Sequence, residues 1–546
     1  MNSMPPPGHP WSPFRRQSPL SRSLLAVGIR LLSALLVACS MGAAAQTVRI
    51  ATAFDPQTMD PQALALLYHS RVVHQIYESL VGRDQKFGIE PALAASWEMD
   101  TPTSWRFKLR GGVRFHDGSA FTADDAVFSL ERAMGPSSQR AFQLKGVTAV
   151  RAVDPLTIEF QLEAPDAVLP EKLQFVAMMS RAWSDKHGVG RAQDFNAKQE
   201  TYAVRNANGT GPFKLDRYDP DVRAVLKRNP DWWGRADKRN GNVKQVEWIA
   251  IRSDATRLAA LASGEVDLVL DPPYQDIARL KADPKIVLQQ VPDIGQQYLA
   301  FDQASAALAG SDIKDRNPFK DLRVRRAVYQ AINVPLIVDK VLRGQAVATG
   351  AFLSPLVDGA PAELDKRLPY DPARSRLLLA EAGYPNGFSV TLDCVNVAWR
   401  ENVCQAVAAM LTQVGVRTTL RSSSTSQFFP KLSQGTTSFA EYGWTASPDA
   451  WLSLNALFRS FDPAGYGTFN AGRYSNPKLD VLIDNIRIEP NRVRRRAMVT
   501  TVLRLVADDL PMVPLYRRVL TWAMKKNITL VQWPNDTLEV RWLQVK

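Results

Sequence analysis

Between Trp105 and Arg110 the side chains alternate: Trp105, Phe107 and Leu109 against Arg106, Lys108 and Arg110. That period of two predicts a half-buried strand. Gly111-Gly112 permits a turn, Val113 and Phe115 are expected to resume the strand, and His116-Asp117-Gly118 turns the chain again. Thr122, with Asp125 three residues on, predicts a capped helix start. Elsewhere the pattern predicts strands over residues 47–53 and 246–251, with helices over 70–80 and 254–263. Gly264-Glu265-Val266-Asp267 then reads as the return into another strand. A strand–helix–strand unit of this kind builds a mainly parallel sheet, so the expected class is α/β. Farther on, Val324, Ala327, Val328 and Ala331 mark the buried side of a helix over 317–333, and 371–383 predicts a second helix ending at glycine. Residues 389–393 alternate as a strand. Val403, Val407, Met410, Leu411 and Val414 then recur at helical spacing up to Gly415, and 416–420 predicts the next strand.

The first 45 residues read as an export signal rather than as fold. Arg15, Arg16, Arg22 and Arg30 precede a short apolar run, Leu31 to Ala38, and Ala43-Ala44-Ala45 offers small residues for cleavage. Leu36-Val37-Ala38-Cys39 has the pattern of a lipoprotein box, so cleavage near Ala45 and acylation of Cys39 stand as alternatives. The apolar run is too short for a permanent membrane span. About 500 residues remain, room for roughly three domain-sized units. The net charge of +13 includes the four leader arginines. Its densest run, Arg492 to Arg496, falls in a helical pattern and is expected to be a solvated face, not a nucleic-acid site. The remaining cysteines, Cys394 and Cys404, lie at the predicted strand end and in the following helix. A disulfide between them suits an exported protein, with two separate buried thiols as the alternative.

The stretch from Leu93 to Arg132 carries a spaced order of Trp, Phe, Leu-Arg, Gly-Val, Phe-His-Asp-Gly and Ala-Asp-Asp. In this it resembles the large periplasmic solute-binding proteins of ABC importers, the dipeptide- and oligopeptide-binding type of family 5. Asp60-Pro61, Gly209-Thr210-Gly211-Pro212-Phe213-Lys214-Leu215, Lys227 to Gly234, Pro511 to Tyr516 and Leu538 to Trp542 are similar to further motifs of that family. The glycines and proline of the second motif suggest a tight backbone corner, and Trp232 and Trp233 a large apolar anchor. The resemblance implies a two-lobed periplasmic binding protein fold with a hinge, its first lobe enlarged by an extra subdomain. The expected boundaries are 46–75, 205–300 and 511–546 for the first lobe, 76–204 for the subdomain and 303–508 for the second lobe. The chain is expected to cross between lobes near 300–303 and 508–511.

The resemblance implies binding rather than catalysis. A peptide held as an added strand would pair with the loop at Gly443, Trp444 and Thr445, opposite Ala53 and Phe54; a core aromatic is the other reading of Trp444. The family's amine-binding aspartate falls at Ser447 here, leaving Asp449 as the replacement. Arg400, beside Trp399, is the expected carboxylate partner, with a surface charge as the alternative. No metalloprotease, nucleophile-elbow, P-loop or dinucleotide motif occurs, and His9, His69, His74, His116 and His187 form no ligand spacing. Ser-x-x-Lys at Ser311–Lys314 and Ser475–Lys478 is a chance-level pattern. The expectation is a monomeric periplasmic binding protein that needs no cofactor or metal, takes a short peptide or peptide-like solute, and meets permease subunits in the inner membrane. A non-peptide solute (opine, oligosaccharide, metal chelate or glutathione) is the alternative. A secreted hydrolase would need an activated nucleophile that the motifs do not supply, and a sensory or chaperone-like binder would meet a receptor instead.

Overall fold

The computed structural model describes residues 47–462 and 466–546; the expected leader, with its cleavage near Ala45 or acylation at Cys39, lies outside them. Strand β1 (Thr47–Thr52) and a short helix (Leu67–Val73) come first. The helix ends earlier than its apolar spacing predicts. Beyond Val73 the backbone bonds elsewhere: the Ile76 carbonyl accepts from Gly211 N–H at 2.8 Å and the Gln75 carbonyl from Phe213 N–H at 3.1 Å. Those long-range partners replace the helical ones.

A ribbon of β2 (Val81–Arg83) and β3 (Ile89–Pro91) leads into a four-stranded antiparallel sheet. Its strands are β4 (Ala94–Thr101), β5 (Ser104–Leu109), β6 (Val147–Asp154) and β7 (Thr157–Leu162), in the order β4-β5-β7-β6. The predicted alternation holds in β5: Trp105, Phe107 and Leu109 are buried while Lys108 is exposed. Phe107 meets Phe160 of β7 edge-on at 5.2 Å between centroids. Helix Ala123–Met134 packs over β6 and β7 and starts with the predicted capping box, Asp125 Oδ2 accepting from the Thr122 backbone N–H at 3.0 Å. Val113 and Phe115 do not resume a strand. Both are buried anchors of a loop that makes a single bridge, Arg114 to Ala120.

The remaining strands form one large sheet in two halves. The first half joins β1 to β8 (Phe213–Asp219), β9 (Arg223–Arg228), β10 (Gln245–Ala250), β11 (Leu268–Leu270) and β12 (Ile286–Pro292). Here β1 and β11 are parallel neighbours, and helix Asp254–Ser263 connects β10 to β11 as the strand–helix–strand pattern predicts. The second half contains β13 (Gln296–Phe301), β14 (Ala346–Ala348), β15 (Phe388–Val395), β16 (Val416–Ser423) and β17 (Phe439–Trp444), with β15 parallel to both β16 and β17. Strand β18 (Met512–Lys525) belongs to both halves. Its first part pairs with β13, Arg517 and Arg518 pair with β14, and the stretch from Val519 onward pairs with β12.

The strands therefore change partners between Pro292 and Gln296 and around Arg517–Val519. Arg517 and Arg518 both lie inside β18. Arg517 meets Asp365 at 2.7 Å and Arg518 meets Asp293 at 2.8 Å, so the charges are compensated where they stand.

Among the described residues, four apolar cores fill this frame. One lies around β13, β15 and β17, and one around β1 and β8 to β11 with Trp248 and Trp522. A third sits within the four-stranded sheet, and a small one includes Ala51, Leu258, Val269 and Ala523. The Cys394–Cys404 disulfide ties the end of β15 to helix Ala398–Gln413. No described helix is long and apolar enough to cross a membrane.

Candidate functional site

The corner carrying Gly209 and Gly211 brings distant segments together. A Cβ on Gly209 would stand 2.0 Å from the Ile76 carbonyl oxygen, and one on Gly211 would stand 2.6 Å from it. Close backbone approach, rather than a left-handed turn, is what requires glycine there. The contact seats Glu78 beneath the paired tryptophans. Glu78 Oε1 accepts from Trp232 Nε1 and Trp233 Nε1, both at 3.1 Å, and Oε2 accepts from Thr210 Oγ1 at 2.9 Å. Burial pushes this carboxyl up to about 7, against the pull of the indole and hydroxyl donors and of the Arg541 charge. Arg110 stacks over Trp233, its guanidinium 4.1 Å from the ring centroid.

This aromatic wall bounds a cavity of 1390 Å³. The opposite wall is the loop after β17. Trp444 pairs across to Gln296 through the sheet, donates its indole N–H to Ser453 Oγ at 2.9 Å, and rests on Phe469 at 4.9 Å. Thr445 follows it with its side chain exposed. The base carries two arginine–carboxylate pairs, Arg518 with Asp293 at 2.8 Å and Arg71 with Asp536 at 2.6 Å. A space of this size, with aromatic walls and many arginine and carboxylate side chains in its lining, accommodates a solute of several hundred daltons.

The predicted site residues divide. Trp444 and Thr445 line the cavity; Gly443, Ala53, Phe54, Trp399, Arg400 and Asp449 do not. Phe54 instead stacks on Tyr68 at 5.3 Å. Asp449 is engaged elsewhere: Oδ1 caps helix Ala450–Leu457 by accepting from Trp451 N–H at 2.9 Å, and Oδ2 pairs with Arg495 at 3.0 Å. Burial, against the pull of Arg495, holds its carboxyl up to about 6. Arg400 lies over Trp399 at 4.8 Å and pairs at 2.8 Å with Glu441, whose side chain is fully buried. Releasing Arg400 to a solute would leave Glu441 uncompensated, which costs several kcal/mol.

Sequence spacing does not reveal Glu78, Arg140 and Arg518 as cavity residues, for their partners are far away in the chain. Trp232 and Trp233 are legible as an anchor but not as a cavity wall. Among the described residues, Cys394, Cys404 and Glu441 are the one group of three close enough to share a metal ion, and both sulfurs are spent in the disulfide.

Residues 88–464 match the family described as bacterial extracellular solute-binding proteins, family 5 middle. Over 521 residues the chain is 28% identical to the glutathione-binding protein GsiB of Shigella dysenteriae, covering 93% of this chain and 95% of that one. Among solved structures, HbpA2 from Haemophilus parasuis superposes with a TM-score of 0.79 at 22% identity, over 92% of this chain and 100% of the other. The periplasmic binding protein DppA from Helicobacter pylori, in complex with the peptide STSA, gives 0.72 at 23% identity, over 91% and 98%. The α/β, two-lobed arrangement is shared with these structures.

Proposed function

Because the chain belongs to the family 5 bacterial extracellular solute-binding proteins, we propose that it captures a short peptide or peptide-like solute between its lobes, in the periplasm, as the solute-binding component of an ABC importer. It then hands the solute to permease subunits in the inner membrane and acts as a monomer. In this reading residues 46–75, 205–292 and 519–546 form the first lobe, 76–204 its extra subdomain and 296–516 the second lobe. The reading includes no catalysed reaction; the work is a closure stabilised by a solute that touches both lobes.

The observation that carries it is the 1390 Å³ cavity, walled on one side by Glu78, Trp232 and Trp233 and on the other by Trp444 and Thr445. Glutathione, for which GsiB is named, is a peptide-like solute of suitable size. A second reading, a non-peptide solute, draws on Asp449. Its capping role and pairing with Arg495 leave no free acid at the loop to receive a peptide amine.

A thermal-shift screen of di- and tripeptides, glutathione, sugars and metal chelates tests both. Ligand at a hundred times its dissociation constant adds about 2.7 kcal/mol, enough to raise the melting midpoint by a few degrees. A response to peptides or glutathione is expected. A response confined to sugars or chelates replaces the first reading with the second, and no response to any class removes both.

A further inference from the structure

We propose that Arg140, with Ser70 and His74 beside it, anchors a carboxylate of the solute, the role the family resemblance implies for Arg400. The proposal rests on the cavity being the solute site. Arg140 is 4% exposed, and its side chain lines the cavity. Among the described residues its guanidinium makes one hydrogen bond, donating from Nη2 to Ser70 Oγ at 2.8 Å, and meets no carboxylate at ion-pair distance. Its Nε is buried without a partner.

Other buried arginines here have their guanidinium groups engaged: Arg325 donates to the carbonyls of Leu510, Phe319, Lys320 and Asp509, and others meet carboxylates. Arg71 pairs with Asp536 at 2.6 Å, Arg83 with Glu171 at 2.7 Å, and Arg132 with Asp60 at 2.6 Å. Burial alone lowers the Arg140 guanidinium to about 10, so it stays charged at neutral pH. A desolvated cation without a counter-charge destabilises the unliganded fold. It is tolerated where a solute supplies the anion, since binding sites carry strain that the rest of the fold over-determines.

The neighbours fit a carboxylate. His74 Nε2 is also buried without a partner. Burial and then the Arg140 charge hold that ring down to about 3, so it is neutral and has one N–H to donate. The planar guanidinium fork can take both oxygens of a carboxylate. Phe142, two residues on and 62% exposed, offers an apolar surface for the solute's stem.

The test is calorimetric titration of wild type, Arg140→Gln and Arg140→Lys with glutathione and trialanine, each with its carboxylates free and amidated. Wild type should bind at least one free acid, and its amide roughly tenfold or more weakly. Arg140→Gln should bind the acid about thirtyfold or more weakly, yet bind the amide as wild type does, with Arg140→Lys between them. Unliganded Arg140→Gln should melt no lower than wild type, since it loses an uncompensated charge. Equal binding of acid and amide by wild type, wild-type affinity of Arg140→Gln for the acid, or a clearly lower melting midpoint of that variant without ligand would overturn the proposal. If wild type binds no peptide in either form, the peptide reading fails and citrate at about 10 mM decides the anchor. A citrate-induced rise in wild type that is missing in Arg140→Gln keeps it; an equal rise, or none, ends it.

Discussion

Asp60 occupies the Met59-Asp60-Pro61 turn, and neither its side chain nor that of Arg132 has any solvent exposure. Arg132 donates to both carboxylate oxygens, at 3.0 and 2.6 Å, while the backbone N–H groups of Gln193 and Gln62 add 2.9 and 3.1 Å. Burial pushes the Asp60 carboxyl up, but the charge and hydrogen bonds of Arg132, together with the two backbone bonds, outweigh it, and the net direction is down. An acid held below its unfolded value stabilises above that value, near 3.9, and loses the contribution as pH falls through the folded value. Asp60→Asn should therefore cost about 3–5 kcal/mol at neutral pH by stranding Arg132. It should also flatten the acid limb of a melting-midpoint-against-pH curve; a wild-type limb in the variant would contradict the assignment. Glu78 has the opposite sign. Its folded value near 7 lies above the ordinary 4.5, so stability is fullest below about 4.5 and declines as pH rises to 7. Glu78→Gln should remove that decline from the curve. The basic run shows why charge in sequence misleads: Arg492 and Arg496 pair with Asp358, Arg494 with Glu489, and Arg495 with Asp449. Arg495 is only 16% exposed, so the expected solvated face holds for its neighbours and not for it.

Elements that carry their own punctuation are legible in the sequence. The capping box at Thr122 is one case, and Thr122→Ala should cost about 1 kcal/mol in denaturant unfolding. Asp125→Ala should cost more, because its other oxygen accepts from Arg181 N–H at 2.9 Å and so holds a second element; equal losses would count against that added role. The helix over 371–383 is another: Asp371 caps Pro372–Glu381, and Gly383 follows with φ +88°. Elements defined by distant partners are not legible in this way. Helix Leu67–Val73 stops where Ile76 and Gln75 bond to 211–213, and β18 continues through two arginines whose acids lie 152 and 225 residues away. The site follows the same division. Trp444 and Thr445 are local to a motif and can be read from it, whereas Glu78, Arg140 and Arg518 face the cavity only through the assembled chain. Arg400 and Asp449 mislead because a spacing cannot reveal that a charge is already taken. Gly209 has the same origin. Gly209→Ala should press on the Ile76 carbonyl and destabilise by about 1–3 kcal/mol, read as a lower denaturation midpoint with an unchanged slope.

In the proposed lobe division, the contacts between the extra subdomain and the second lobe include a cluster around Arg487. Ala167 N–H donates to the Arg487 carbonyl at 2.9 Å, Arg487 Nη2 reaches Asp166 at 3.5 Å, and Arg495 Nη1 donates to the Ala167 carbonyl at 3.4 Å. The guanidinium of Arg487 also lies 5.4 Å from the Trp451 ring centroid, and both residues line the cavity. Under the proposed closure, rotation about the strand changeovers at 292–296 and 517–519 would open the cavity and separate these groups, so in that reading they weight the closed form alone. A contact made only in the closed form raises affinity by raising the fraction of molecules ready to hold the solute. Asp166→Ala is a poor probe, because Asp166 also pairs with Lys172 at 2.5 Å and its loss strands a lysine that is 5% exposed. Arg487→Ala removes the guanidinium while Lys172 keeps its partner. It should weaken solute binding about three- to thirtyfold, mainly through faster dissociation, and leave thermal stability nearly unchanged. Small-angle scattering of the unliganded variant should give a larger radius of gyration than wild type, with the two converging at saturating solute. An unchanged dissociation rate and radius would mean that this contact follows closure without favouring it.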